Sequence, residues 1–143
     1  MEWKEEYCVL PEIDREHQAL VDCVTAIEQA GADRHAQHAA LERLAYQTRS
    51  HFTLEETLMR IIGYADIDAH VQEHRRFLAD LKTLDAECLA GGLAGESVAQ
   101  ARTWLEEHFR SDDKQYAALL SAGNREFVRN YYLHPPTSHK DER

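Results

Sequence analysis

The sequence predicts an all-α fold: an up-down-up-down antiparallel four-helix bundle with an extended N-terminal arm and a short C-terminal helix. Three observations predict it. Apolar residues recur at spacings of three and four in four separate stretches, the mark of amphipathic helices. Short, Gly-bearing connections separate the stretches, which favours antiparallel neighbours. Only 6 Gly and 3 Pro occur among 143 residues, too few for a turn-rich β fold.

Residues 1–11 are expected to form the arm, with Trp3 and Tyr7 packing across the bundle. The first helix follows Pro11, carries Ile13, His17, Leu20, Val24 and Ile27 on one stripe, and ends near Gly31. The second carries Leu41, Leu44, Thr48, His51, Glu55, Leu58 and Ile62, and stops at Gly63. The third carries Ile67, His70, His74, Phe77, Leu81, Leu84 and Cys88, and stops at Gly91-Gly92. The fourth carries Val98, Ala101, Leu105, His108, Asp112 and Leu119. A short fifth helix is expected over 124–133, with Phe127, Val128, Tyr131 and Tyr132. Residues 1–133 then form one domain, and 134–143 a disordered tail.

Composition narrows the function classes. With 43% hydrophobic and 29% charged residues, a packed core is within reach. The net charge is −10, from 16 basic and 26 acidic side chains. Nucleic acid and anionic membrane surfaces reward the opposite sign, so neither is an expected partner. No stretch approaches the roughly 18 apolar residues of a membrane span, and the N-terminus lacks a signal-peptide pattern. Cys8, Cys23 and Cys88 form neither a CxxC pair nor a disulfide framework. The expected setting is the reducing cytoplasm, with the cysteines as small apolar packers.

Nine histidines are the unusual entry in the composition. His17, His51, His70, His74 and His108 interrupt stripes that should be apolar, and a buried imidazole needs a partner. His35, His38, His134 and His139 are expected to be solvated. Spacing indicates what the five share. His51 and Glu55 are four apart, as are His70 and His74, so each pair can converge on one metal site. His108 is followed by Asp112 and Asp113. A regular helix favours Asp112 at i+4, because Asp113 at i+5 is turned about 140° away from His108 around a 3.6-residue helix. Counting about 1.5 Å of rise per residue from the connecting loops places all these groups in one layer, to within roughly 6 Å. Five imidazoles and at least two carboxylates are too many donors for one ion. They suit two, and the absence of thiolates favours iron or manganese.

The motifs in order are Ile13-Asp14-Arg15-Glu16-His17, His51-Phe52-Thr53-Leu54-Glu55-Glu56, His70-Val71-Gln72-Glu73-His74, and Trp104-Leu105-Glu106-Glu107-His108 leading to Asp113. In that order the sequence resembles the hemerythrin family, and its single-domain bacterial branch. The resemblance implies an oxo- or hydroxo-bridged pair of irons. It assigns His70, His74 and His108 to one iron and His17 and His51 to the other, with Glu55 and Asp113 bridging. It therefore selects Asp113 over Asp112. The first iron then has six donors, counting the bridges, and the second has five. The position left open is where O2 binds.

By the same resemblance Leu20, Phe52, Trp104, Leu105 and Phe109 line the ligand pocket; the plain alternative is core packing. Tyr116, three residues beyond Asp113, is a candidate hydrogen-bond donor behind the metal ligands, or a core aromatic with its hydroxyl at the surface. Five His to two carboxylates is the reverse of the carboxylate-rich balance of O2-activating di-iron bundles, which favours reversible binding. The implied function is O2 transport, storage or delivery, with O2 and a protein acceptor as partners and no enzymatic activity beyond weak peroxidase or oxidase side reactions. Two other readings are an O2 or redox sensor acting through a partner, and a di-iron peroxidase or nitric oxide-handling enzyme. A monomer or weak homo-oligomer is expected.

Overall fold

In the computed structural model, residues 10–130 are described. The expected arm with Trp3 and Tyr7, Cys8, the aromatics Tyr131 and Tyr132, and the tail with His134 and His139 lie outside them. Four long helical arms run α1 (Pro11–Gln29), α2 (Arg34–Ile62), α3 (Ile67–Ala90) and α4 (Gly95–Glu107). A five-residue π-helical turn, His108–Asp112, leads from α4 into a short α5 (Asp113–Ala117), and α6 (Ala122–Val128) follows. The arms close a ring in which α1 packs on α2 and α4, and α3 on α2 and α4.

Local chemistry sets the boundaries. Pro11 opens α1, where its missing N–H costs nothing and its fixed φ suits the first turn. Asp33 caps α2 by accepting from the Ala36 N–H at 3.1 Å. Gly63 ends α2 in the left-handed region, at φ 65° and ψ 42°, a conformation that costs a side chain with a Cβ about 1 kcal/mol. The chain reverses there in four residues and re-enters as α3. Ser121 and Asn124 form a reciprocal capping box at the start of α6.

Two apolar clusters sit above and below the histidine layer. The larger holds Leu20, Val24, Ile27, Leu41, Leu44, Leu81, Leu84, Val98 and Leu105, with Phe52, Phe77 and Phe109 at its lower edge. The smaller closes the other end with Leu10, Ile13, Leu58, Met59, Tyr116, Leu120 and Val128. Cys23 and Cys88 are free, buried thiols in the larger cluster, as small packers should be.

Three expectations need correction. The fourth stripe is not one continuous α-helix: the π turn adds a residue to its coil, and Leu119, beyond it, is 57% exposed. A C-terminal helix does form, but begins at Ala122 rather than 124, because Ser121 supplies the cap. Its Phe127 is 42% exposed while Val128 is buried, so only one of these two apolar residues reaches the core. His38 is not simply solvated: it bonds Asp85 Oδ1 at 3.0 Å and lies 3.2 Å from Glu42, tying α2 to α3. His35 is exposed as expected.

Candidate metal centre

All four arms place one or two donors at the same height. His17 comes from α1, His51 and Glu55 from α2, His70 and His74 from α3, and His108 and Asp113 from the π turn and the start of α5, which continue α4. All seven are buried, the most exposed being His70 at 6%. The i,i+4 pairs of α2 and α3 fall on the inner face, as helical spacing requires. The α4 pair is different. The Asp113 N–H donates to the His108 carbonyl, an i→i+5 bond that widens the coil by one residue. That turn brings Asp113 round to the face of His108 and leaves Asp112 outside. The count of 3.6 residues per turn favours Asp112 only because it assumes a regular helix.

The two carboxylates divide the imidazoles into two groups. Glu55 Oε1 lies 3.0 Å from His74 Nε2, 3.4 Å from His108 Nε2 and 3.7 Å from His70 Nε2. Its other oxygen, Oε2, lies 3.0 Å from His51 Nε2 and 3.7 Å from His17 Nε2. Asp113 repeats the division: Oδ1 is 3.0 Å from His108 Nε2 and 3.3 Å from His70 Nε2, while Oδ2 is 3.2 Å from His17 Nε2. Each carboxylate thus turns one oxygen to a three-histidine group and one to a two-histidine group.

These donors fit cations better than they fit one another. His74 Nε2 and His108 Nε2 face each other at 3.2 Å, and adjacent donors around an ion with bonds of about 2.1 Å stand about 3 Å apart. Both Asp113 oxygens and His70 Nε2 are buried without a hydrogen bond among the described residues, a costly arrangement unless a cation is their partner. Two overlapping sets, Glu55 with His70, His74 and His108, and His17 and His51 with Glu55 and Asp113, each have donor atoms within 4.8 Å of one another.

The electrostatics fit the same picture. Burial works against a charge on His51, but the Glu55 carboxylate and the Glu16 hydrogen bond lift its pKa to about 10. Burial likewise opposes charging His70, and the Asp113 and Glu55 carboxylates that face its Nε2 raise it to about 9. His108 is pushed well above its ordinary value, against burial, by Asp113, Asp112 and Glu55. Burial disfavours ionised Glu55, yet the surrounding imidazoles hold it well below the usual carboxylate range. The carboxylates attract positive charge strongly enough to overcome desolvation, and protons and metal ions compete for it.

Outer carboxylates orient several rings. His51 Nδ1 donates to Glu16 Oε1 at 2.8 Å, and His74 Nδ1 to Glu56 Oε2 at 2.9 Å. His108 Nδ1 lies 3.3 Å from Asp112 Oδ2. An outer acceptor on Nδ1 leaves Nε2 as the inward donor to a metal. Sequence reasoning missed Glu16 and Glu56, because each serves a ring on a different helix. Their adjacency to His17 and Glu55 was the only available signal. Asp112 keeps this orienting task.

Three aromatic rings stack on imidazoles from the large apolar side. Phe52 lies on His74 at 3.7 Å, Phe109 on His17 at 4.0 Å and Trp104 on His108 at 4.6 Å between centroids. Leu20 and Leu105 are buried in the same cluster, and Leu20 also lines a cavity beside His51. From the opposite side the buried Tyr116 hydroxyl donates to Glu55 Oε2 at 3.3 Å. Burial and the carboxylates Glu55 and Asp113 raise its pKa well above 10, so it remains a donor. Of its two expected placements, the structure has the inward one.

Comparison with known proteins agrees with this geometry. The family model described as hemerythrin HHE cation binding domain matches residues 8–120. The chain belongs to the hemerythrin family. This family member is 30% identical over 121 residues to a bacteriohemerythrin of Pseudomonas aeruginosa, covering 82% of this chain and 79% of that one. It is 33% identical over 108 residues to a myohemerythrin of Riftia pachyptila, covering 76% and 82%. A crystal structure of wild-type hemerythrin superposes with a TM-score of 0.77 at 29% identity, covering 85% of this chain and 98% of that one. Hemerythrins bind O2 at a di-iron centre held by His, Glu and Asp side chains, and this chain has such clusters. None of the described helices is long and apolar enough to cross a membrane.

Proposed function

We propose that this protein binds O2 reversibly at two irons and serves as a carrier, store or delivery partner. One observation carries the reading: each central carboxylate turns one oxygen to the group of His70, His74 and His108 and the other to the group of His17 and His51. On this reading His70, His74 and His108 hold one iron, and His17 and His51 hold the other. Glu55 and Asp113 bridge the pair. The bound irons supply the electrons and the coordination position that O2 needs.

The remaining residues keep that chemistry reversible. Phe52, Phe109, Leu20, Leu105 and Trp104 cover the imidazoles with apolar surface and exclude water, which would otherwise promote oxidation. The Tyr116 hydroxyl fixes one oxygen of Glu55. Glu16, Glu56 and Asp112 hold three rings in the tautomer that directs Nε2 inward. No acid or base among these residues is directed into the apolar side, which favours binding over turnover.

The test is the visible spectrum of the diferrous protein with and without O2. A band that appears with O2 and vanishes on deoxygenation, through repeated cycles, is expected. A ferric product formed irreversibly on the first exposure contradicts reversible binding. One zinc per chain and no iron contradicts the di-iron reading itself.

A further inference from the structure

Of the five inner imidazoles, His70 differs from the rest. His51, His74 and His108 are each tied at Nδ1 to an outer carboxylate, and His17 has Asp14 3.8 Å from its Nδ1. His70 makes no hydrogen bond through its side chain to any described residue, although that side chain is only 4% exposed. Its Nε2 faces Asp113 and Glu55, at 3.3 and 3.7 Å. Its ring also lines a solvent-facing cavity of about 200 Å³.

The walls of that cavity are acidic. Asp66, Glu73 and Asp112 supply three carboxylates, Tyr64 and Gln115 add polar oxygens, and no Lys or Arg side chain lines it. The Tyr64 hydroxyl donates to Gln115 at 3.2 Å, and Arg76 reaches Glu73 from outside at 3.3 Å. A volume of this size holds about six waters at roughly 30 Å³ each, the shell of a hydrated divalent ion. Carboxylate and other oxygen donors suit hard divalent cations that keep their waters. The cavity beside His51, by contrast, sets Arg15 against Glu16 and so carries no excess of negative charge. The groove between α3 and α4 carries Asp80 and Glu87 but touches none of the five imidazoles.

We propose that this cavity is the entrance for divalent metal: Fe2+ gathers as a hydrated ion among Asp66, Glu73 and Asp112, and His70 draws it into the layer. Negative walls raise the local cation concentration and so the rate of capture. An imidazole without an outer tether can turn about its side-chain bonds at no cost in broken hydrogen bonds. His70 is therefore the ring suited to meeting an ion outside and returning with it, while the tethered rings keep the layer in shape. The inference rests on the di-iron reading above but concerns loading, not O2.

Stopped-flow uptake of Fe2+ under anaerobic conditions by the metal-free protein tests it, with iron per chain measured at the end. The variant Asp66→Asn/Glu73→Gln removes two cavity charges and leaves every proposed ligand in place. The control Glu42→Gln/Asp85→Asn removes two charges from the α2–α3 face. The cavity variant is expected to load about tenfold more slowly at low salt, a factor of the size electrostatic focusing supplies. Its final iron content should match wild type, and the control should load at the wild-type rate. The difference should shrink as salt is added. Equal slowing in both variants, or none in the cavity variant, overturns the entrance while leaving the di-iron reading intact. Failure of the wild type to take up two irons overturns both.

Discussion

The two halves of the bundle are built on opposite principles. Above the histidine layer, Val24, Ile27, Leu41, Leu44, Leu81 and Leu84 fill the space between four helices with hydrocarbon. Within the layer, the same helices at the same height bury five imidazoles and two carboxylates. The upper half needs nothing added, because apolar burial is favourable at about 25 cal/mol per Å² and indifferent to what else is bound. The layer is favourable only with positive charge at its centre, because its donors face inward toward one another. Stability and function are therefore held in adjacent slabs of one bundle, and changes in one should be readable separately from changes in the other.

The largest expected effect tests the layer. Asp113→Ala removes the carboxylate whose oxygens face both imidazole groups. It should cost at least one iron per chain and abolish the reversible O2 band. Asp112→Asn changes a partly exposed neighbour that touches only the outer edge of His108, and should retain both irons. Iron analysis with the visible spectrum decides. If the two variants behave alike, the π-helical turn does not select between the two aspartates as argued.

The next effect tests the apolar half. Leu44 is fully buried, and Leu44→Ala should cost about 2–5 kcal/mol through lost burial and a residual cavity. Because the cost is paid in hydrocarbon, it should be nearly the same in metal-free and iron-loaded protein. Denaturant melts of both forms measure it. A cost that differs between the forms by more than about 0.5 kcal/mol would mean that the slabs are coupled, since independent sites add to within that margin.

The same division explains what could be seen in the sequence. Polar residues on an apolar stripe stand out wherever a regular helix carries them, so His17, His51, Glu55, His70, His74 and His108 were legible from spacing. Asp113 was not, because a π turn is an i→i+5 departure from the period used to find the others. Only the family resemblance chose Asp113. Glu16 and Glu56 were missed because a hydrogen bond between helices leaves no periodic trace. Leu119 joined a stripe on paper because the pattern was extended past the point where the coil changes pitch.

The smallest effect concerns the apolar half's outer rim, where one ion pair ties α1 to α4. Arg102 donates to both oxygens of Glu28, at 2.7 and 3.0 Å, and to the Thr25 hydroxyl at 2.9 Å. The hydrogen bond from Arg102 holds the Glu28 carboxyl below its ordinary value, with burial opposing. A folded pKa below the unfolded one means the pair contributes above about pH 4.5 and loses its contribution as pH falls through the lowered value. The Glu28 side chain is 41% exposed, so solvent limits the contribution to about 0.2–1 kcal/mol. Arg102→Met keeps much of the packed stem and removes the charge. Its cost should be at most about 1 kcal/mol at pH 7, and should fade both below pH 4 and in high salt. Unfolding midpoints of the two proteins across that range give the answer. A cost that persists in acid would show that Arg102 acts through its stem and not its charge, which would make even the rim of this half hydrophobic in origin.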